Sequence, residues 1–176
     1  HRPTAEQKVR VETDRDLLRQ TAASRRFGEV RLFRYAEQFS ETRQQQFSAT
    51  AFLLDSDTVY VAFRGTDNTL TGWREDFNLS FLPYVPSQAA AAAYLRGILS
   101  LGFSNVYVGG HSKGGNLAVY AAVQMQPEDF PRIRAVYNND GPGFVTDLLA
   151  EPQFQQLQER VYTFVPQASV VGMLLE

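Results

Sequence analysis

Residues 30–36 alternate along the chain, with Val30 and Leu32 set against Arg31, Phe33 and Tyr35, and this period of two predicts a strand. Residues 46–54 and 58–63 are two more runs of strand character. The turn-forming Asp55-Ser56-Asp57 between them predicts an antiparallel hairpin. Before these, residues 15–25 place Leu17, Leu18, Ala22 and Ala23 at helical spacing. After them the period lengthens. Residues 87–101 read as a helix with Ser87 as its N-cap, and residues 116–125 as a second helix stopped by Pro127. Strands are expected at 106–109, 133–138 and 160–165. Residues 144–157 are expected to be mostly helical, with Pro152 breaking or restarting the helix.

That order is a hairpin followed by strand–helix alternation. It predicts an α/β fold with a mostly parallel central sheet and helices on both faces. The strand at 106–109 is expected at the centre, because Val106 and Val108 suit burial on both sides. Open α/β sheets carry their sites at the carboxyl ends of their strands. Ser112, the segment after Phe63 and the segment after Asn138 all fall at such ends.

The chemistry concentrates at one of these ends. Val106-Tyr107-Val108 leads into a Gly-x-Ser-x-Gly pentad, Gly110 to Gly114, and a small-residue helix follows at once. The bare pentad is expected by chance in roughly 6% of chains of this length. The strand before it and the apolar helix after it predict a nucleophile elbow, with Ser112 on a tight turn at a helix N-terminus, the alternative being a glycine-rich strand-to-helix turn with an incidental serine. The backbone N–H of Lys113 is then the first oxyanion donor. The Lys113 side chain is expected in solvent, the alternative being attraction of an anionic substrate.

A second segment becomes legible beside the elbow. Phe63-Arg64-Gly65-Thr66-Asp67, followed by Trp73 and Asp76, resembles the class 3 (fungal-type) lipases, which carry a Phe-Arg-Gly-Ser/Thr turn, then a Trp and an Asp, then a Gly-His-Ser-x-Gly elbow. The stretches 63–67, 109–120, 140–144 and 165–175 together are similar to an uncharacterised bacterial family of α/β-hydrolase-like proteins related to those lipases. The resemblance implies an α/β-hydrolase core and a serine hydrolase site. It also implies that Thr66 matches the lipases' oxyanion residue, and a strand-end turn remains the alternative for that segment. Trp73 and Asp76 are expected to hold the loop in place.

A serine nucleophile needs a base. The chain has two histidines, His1 and His111. His111 adjoins Ser112 in the turn, and in the lipases it is a packing residue. His1 precedes every strand, against the order Ser, acid, His. The base is therefore expected beyond Glu176, and both ends of the chain are read as cut, so that 1–176 is a single hydrolase core within a longer protein. Slow esterase activity at most is expected of these residues alone. For the acid, Asp140 ends the strand after the elbow helix. It is either the carboxylate that orients the base or simply turn chemistry before Gly141-Pro142-Gly143. The lipases place their acid after the next strand, where this chain reads Val165-Pro166-Gln167-Ala168-Ser169, without a carboxylate. Asp147 is a weaker candidate.

Composition narrows the classes. A formal net charge of −2 and the absence of a basic run argue against nucleic acid as a partner. No stretch is apolar for long enough to span a bilayer, and the polar first residues lack the apolar core of a secretory signal, so a cytoplasmic location is expected. Cysteine is absent, and Asp67, Glu75 and Asp76 have no histidine beside them, so neither a metal nor a cofactor is expected. The leading expectation is a serine esterase or lipase that forms an acyl-enzyme on Ser112 from a small ester or lipid, with transfer to an alcohol also open. The alternative is a non-catalytic hydrolase-like binding module. Phe77, Phe81, Leu82, Tyr84 and Val85 are expected as core or loop packing, the alternative being an acyl-pocket wall. Oligomeric state is open.

Overall fold

The computed structural model describes residues 11–67, 69–145 and 148–169. Asp147, His1 and the apolar run 170–176 lie outside the described residues. The chain divides into two compact units, His1–Arg31 and Leu32–Glu176. The first contains helix α1 (Val11–Ala23), where helical spacing predicts one. Its exit is a local turn in which Ser24 Oγ accepts from Phe27 N and Ser24 O from Gly28 N.

The second unit is built on a six-stranded sheet in the order β1 (Arg31–Ser40), β2 (Gln45–Leu53), β3 (Thr58–Phe63), β4 (Asn105–His111), β5 (Ile133–Asn139) and β6 (Val161–Phe164). Strands β2 and β3 form the expected antiparallel hairpin, with Ala51 opposite Val61. From β3 onward every pairing is parallel, Val61 to Val108, Val108 to Val136 and Val136 to Val161. The carboxyl ends of β3, β4, β5 and β6 therefore share one edge.

Alternation decides which face is covered. Val59, Val61 and Phe63 of β3 and Val106 and Val108 of β4 are buried. They pack in one core with Ala91, Leu95 and Ile98 of α3 (Pro86–Leu99) and with Leu117, Ala118 and Ala121 of α4 (Lys113–Val123). The alanines of both helices let their backbones sit close to each other and to the sheet. Among the described residues, no helix is long and apolar enough to cross a membrane.

The structure refines several of these expectations. Ser87 is not the N-cap of α3, because Val85 occupies that position and Gln88 Oε1 accepts from its N–H at 2.9 Å. Among the described residues of the stretch 144–157 a short 3-10 turn, Leu148–Ala150, and helix α5 (Pro152–Leu157) form, so the helical character is as expected and the helix restarts at Pro152. Pro152 starts a helix at its first position, where its missing N–H costs nothing. A further helix, α2 (Leu70–Leu79), spans a segment without a predicted element. Its buried positions include Thr71, Gly72 and Glu75, while Leu70, Trp73 and Phe77 are exposed. Trp73 therefore does not pack the loop down. Of Phe77, Phe81, Leu82, Tyr84 and Val85, Val85 is in the core, and Phe77 and Phe81 pack against each other on the outside with ring centroids 4.7 Å apart, in keeping with the expected core or loop packing.

Candidate active site

Ser112 stands between β4 and α4 with φ 55° and ψ −130°. A side chain in that region costs about 1–3 kcal/mol and persists only where its surroundings enforce it. Here they do. Ser112 N donates to Asn139 O of β5 at 2.9 Å, and Ser112 O accepts from Gly115 N at 2.8 Å. Close approaches on the other side require glycine. A Cβ on Gly114 would lie 2.2 Å from the carbonyl oxygen of Phe63 at the end of β3. A Cβ on Gly65 would lie 2.8 Å from His111 O and 3.5 Å from Ser112 Cβ. The chain leaving β3 is thus seated directly on the elbow. Gly114→Ala is expected to destabilise the fold by about 3 kcal/mol, because a backbone carbonyl at a sheet end cannot retreat. Urea denaturation of the variant measures this, and a loss below about 1 kcal/mol would mean that β3 does not press on α4.

The first N–H groups of a helix have no acceptor within it. Lys113 holds the first position of α4, so its amide is free by geometry to face an oxygen held at Ser112. Its side chain corrects the expectation of a solvated lysine. Lys113 is fully buried, and its ammonium donates to Gln46 O at 2.7 Å, to Gln46 Oε1 at 2.9 Å and to Glu75 Oε2 at 3.0 Å. Glu75 is buried as completely. Its carboxylate also accepts from Gln46 N at 2.8 Å, Ser87 N at 3.0 Å and Ser87 Oγ at 2.8 Å. A carboxylate at Ser87 N–H meets the positive end of α3, so one anion serves both a helix terminus and an ammonium.

Thr66 follows Gly65 in the loop after β3. Its buried hydroxyl makes no hydrogen bond of regular geometry, yet it faces Asp76 closely enough to favour the ionised carboxylate. Burial nevertheless dominates and pushes the Asp76 carboxyl above the usual aspartate value of 3.8, with Thr66 and Lys113 pulling the other way and Glu75 adding to the rise. The native state therefore holds the Asp76 proton more tightly than the unfolded chain does. Stability from this group is fully present below pH 3.8 and is lost as pH rises past that value and through the raised native one. Asp76→Asn should remove this fall. Plotted as the difference between the two proteins' urea midpoints at successive pH values, it should appear as a step above pH 3.8. A flat difference would contradict the burial argument.

Asp140 also has a left-handed backbone, φ 58°. Its N–H donates to Phe164 O of β6 at 2.8 Å, and its Oδ1 accepts from the Ser169 hydroxyl. The carboxylate from the β5 end thus meets the segment after β6. The loop that carries it is clamped to α4, for Asn116 Nδ2 donates to Pro142 O at 3.0 Å and to Gly143 O at 2.9 Å. Gln88 Nε2 on α3 in turn holds Asn116 Oδ1 at 2.8 Å. His111 is exposed rather than packed. It lines, with Asp140, Phe164 and Pro166, an open cleft of about 570 Å³ at the carboxyl ends of the strands.

The elbow, the loop after β3 and the loop after β5 therefore converge on one edge, as the strand order predicts. Sequence reasoning missed Gln46 and Asn116 as parts of this assembly, and it treated Glu75 only as an acid without a metal partner. No local signal joins Gln46 or Glu75 to the elbow, since they lie 67 and 38 positions before Lys113, and the partners of Asn116, Gln88 on α3 and the loop at Pro142, are likewise distant in sequence.

The model of the Mbeg1-like family matches residues 21–176. No curated protein matches the chain. Among solved structures, M37 lipase aligns with TM-score 0.59 and 16% identity over 90% of this chain and 62% of its own. A fungal lipase–inhibitor complex, described as a model for interfacial activation in lipases, aligns with TM-score 0.57 and 16% identity over 81% of this chain and 60% of its own. A Rhizomucor miehei lipase in complex with its propeptide aligns with TM-score 0.50 and 18% identity over 73% of this chain and 46% of its own. The chain spans about 60% of the length of the first two lipases. Its fold is that of the lipase-type α/β-hydrolases.

Proposed function

The chain belongs to the Mbeg1-like family, and from the serine that it strains into position at a strand–helix junction we propose that the protein is a serine hydrolase of carboxylic esters. The observation that carries this reading is Ser112 at φ 55° at the head of α4. A serine has no packing reason to adopt that backbone, and strain of this kind collects at functional sites.

In the proposed reaction Ser112 Oγ attacks the ester carbonyl while a base takes its proton. The carbonyl π electrons move to oxygen, and the amides of Lys113 and Thr66 receive the oxyanion. Collapse expels the alcohol, which takes the proton from the base, and leaves an acyl group on Ser112. Water then repeats the sequence and releases the acid. Asp140, fixed by Asn116 through its loop, orients the base and stabilises its cation. We place that base outside residues 1–176. His111 adjoins the nucleophile, and one imidazole cannot both follow the strand and reach back over its own neighbour. The cleft beside Asp140, with Phe164, Val165 and Pro166 on its wall, offers apolar surface to one arm of an ester.

The test is fluorophosphonate labelling of the whole protein, with the modified residue located by mass spectrometry. A single adduct on Ser112 is the expected result. A folded protein that takes up no label would instead be a hydrolase-like binding module, and the proposal would fall.

A further inference from the structure

The two amides assigned to the oxyanion belong to different elements, Lys113 to α4 and Thr66 to the loop after β3. A tetrahedral oxygen needs both at once, so something must set their spacing. Gln46, on β2, is the residue that touches both carriers. Its Oε1 accepts from Lys113 Nζ at 2.9 Å and from Asp67 N, next to Thr66, at 3.3 Å. Its backbone carbonyl takes a second ammonium proton at 2.7 Å, and its own N–H is held by Glu75 Oε2 at 2.8 Å. The same Oε1 lies against the first turn of α2, where a Cβ on Gly72 would meet it at 3.3 Å and Thr66 Cγ2 at 3.2 Å.

The side chain is held at a cost. Gln46 is 2% exposed, and its Nε2 is buried without a hydrogen-bond partner. A buried orphan donor is unfavourable. Turning the amide over would not relieve it, because the NH2 would then face the Lys113 ammonium and the Asp67 N–H. The orientation is the one that serves two donors with one oxygen and leaves the nitrogen unserved.

We propose that Gln46 is a positioning residue that holds the Lys113 and Thr66 amides at the separation the oxyanion requires. The proposal rests on the serine hydrolase reading. Its action is through other groups: the carboxamide touches neither the nucleophile nor the reacting carbonyl. It predicts a defect in the transition state and not in substrate binding.

The experiment uses the whole protein and a short p-nitrophenyl ester, with active sites counted by fluorophosphonate titration. Gln46→Met keeps the side-chain length and removes the shared acceptor. Its kcat per titrated site should fall by about 10- to 100-fold with KM within about 2-fold, since small misplacement of preorganised donors costs that much. Inhibition by an arylboronic acid, which forms a tetrahedral adduct on the serine, should weaken by a similar factor. Gln46→Glu restores an oxygen at the same reach and should recover kcat to within about 5-fold of wild type. Should Gln46→Met not fold, Gln46→Asn takes its place, for its amide is one methylene short of bridging both donors. A merely structural role would lower the number of titratable sites and leave kcat per site unchanged, and that result overturns the proposal. If the wild-type protein takes no label at Ser112, the hydrolase reading fails first and the positioning role with it. Labelling at Ser112 with unaltered kcat in Gln46→Met removes the positioning role alone.

Discussion

Ser112→Ala is expected to lower kcat/KM of the whole protein for a short p-nitrophenyl ester by about 10⁴-fold or more. The thermal midpoint should move by no more than about 4 °C. The effect is large because the hydroxyl is the only atom lost, and the donors around it remain where they are. Residual turnover would measure what the oxyanion cradle does without a nucleophile. Two further variants sort the neighbours. His111→Ala should cost less than about 10-fold, since that imidazole is exposed at the cleft and is not the proposed base. Asp140→Asn should cost about 10³-fold, because the carboxylate that orients the base becomes a neutral amide. If Ser112→Ala keeps a tenth of the wild-type rate, acyl transfer does not pass through this residue. If His111→Ala loses as much as Ser112→Ala, the assignment of the base beyond residue 176 is wrong.

Lys113→Met is expected to cost about 3–5 kcal/mol of stability, or about 10 °C in thermal midpoint. The loss comes mainly from what stays behind. Glu75 keeps its bonds from Gln46 and Ser87 but has no cation, in a place with no measurable exposure. Replacing an ion pair on both sides is often far milder than breaking it on one. The double variant Lys113→Met/Glu75→Gln should therefore be more stable than the two single losses predict, with a coupling of about 2 kcal/mol or more. Urea denaturation of wild type, both singles and the double closes the cycle. Strict additivity would show that the two side chains are neighbours without being coupled.

Much of the fold is legible because its hydrophobic pattern is simple. Strand β3 alternates Val59, Val61 and Phe63 inward, and β4 does the same with Val106 and Val108, so period and burial agree. The hairpin before them is announced by Asp55-Ser56-Asp57, where Asp55 Oδ1 accepts from Asp57 N at 2.8 Å. Helix α2 resists the same method for a physical reason. It turns Leu70, Trp73 and Phe77 outward and buries Thr71 and Glu75, so its amphipathic signal is inverted. Strand β1 runs on to Ser40 with nearly every side chain exposed, and a strand exposed on both faces has no alternation to read beyond its first residues.

The site divides along the same line. Ser112 and Gly114 are found from local spacing, because a sharp turn and a close backbone approach each impose residue types on consecutive positions, whereas Thr66 enters only through the resemblance of residues 63–67 to the class 3 lipases. Asp140 is found as the carboxylate that ends the strand after the elbow helix, and the hydrogen bond of its N–H to Phe164 O is a matter of tertiary pairing. The burial of Lys113 is the instructive miss. A lysine is normally solvated, and nothing within a helical turn of it supplies an anion. Its counter-ion arrives from α2, 38 positions earlier.

Glu75 also restricts how far α2 can move. Its side chain fastens α2 to the elbow, and its oxygens are engaged by β2, α3 and Lys113 together. To swing outward as a rigid flap, α2 would have to withdraw that anion and strand an ammonium in a dry interior. The helix thus behaves as a fixed doorpost beside the elbow.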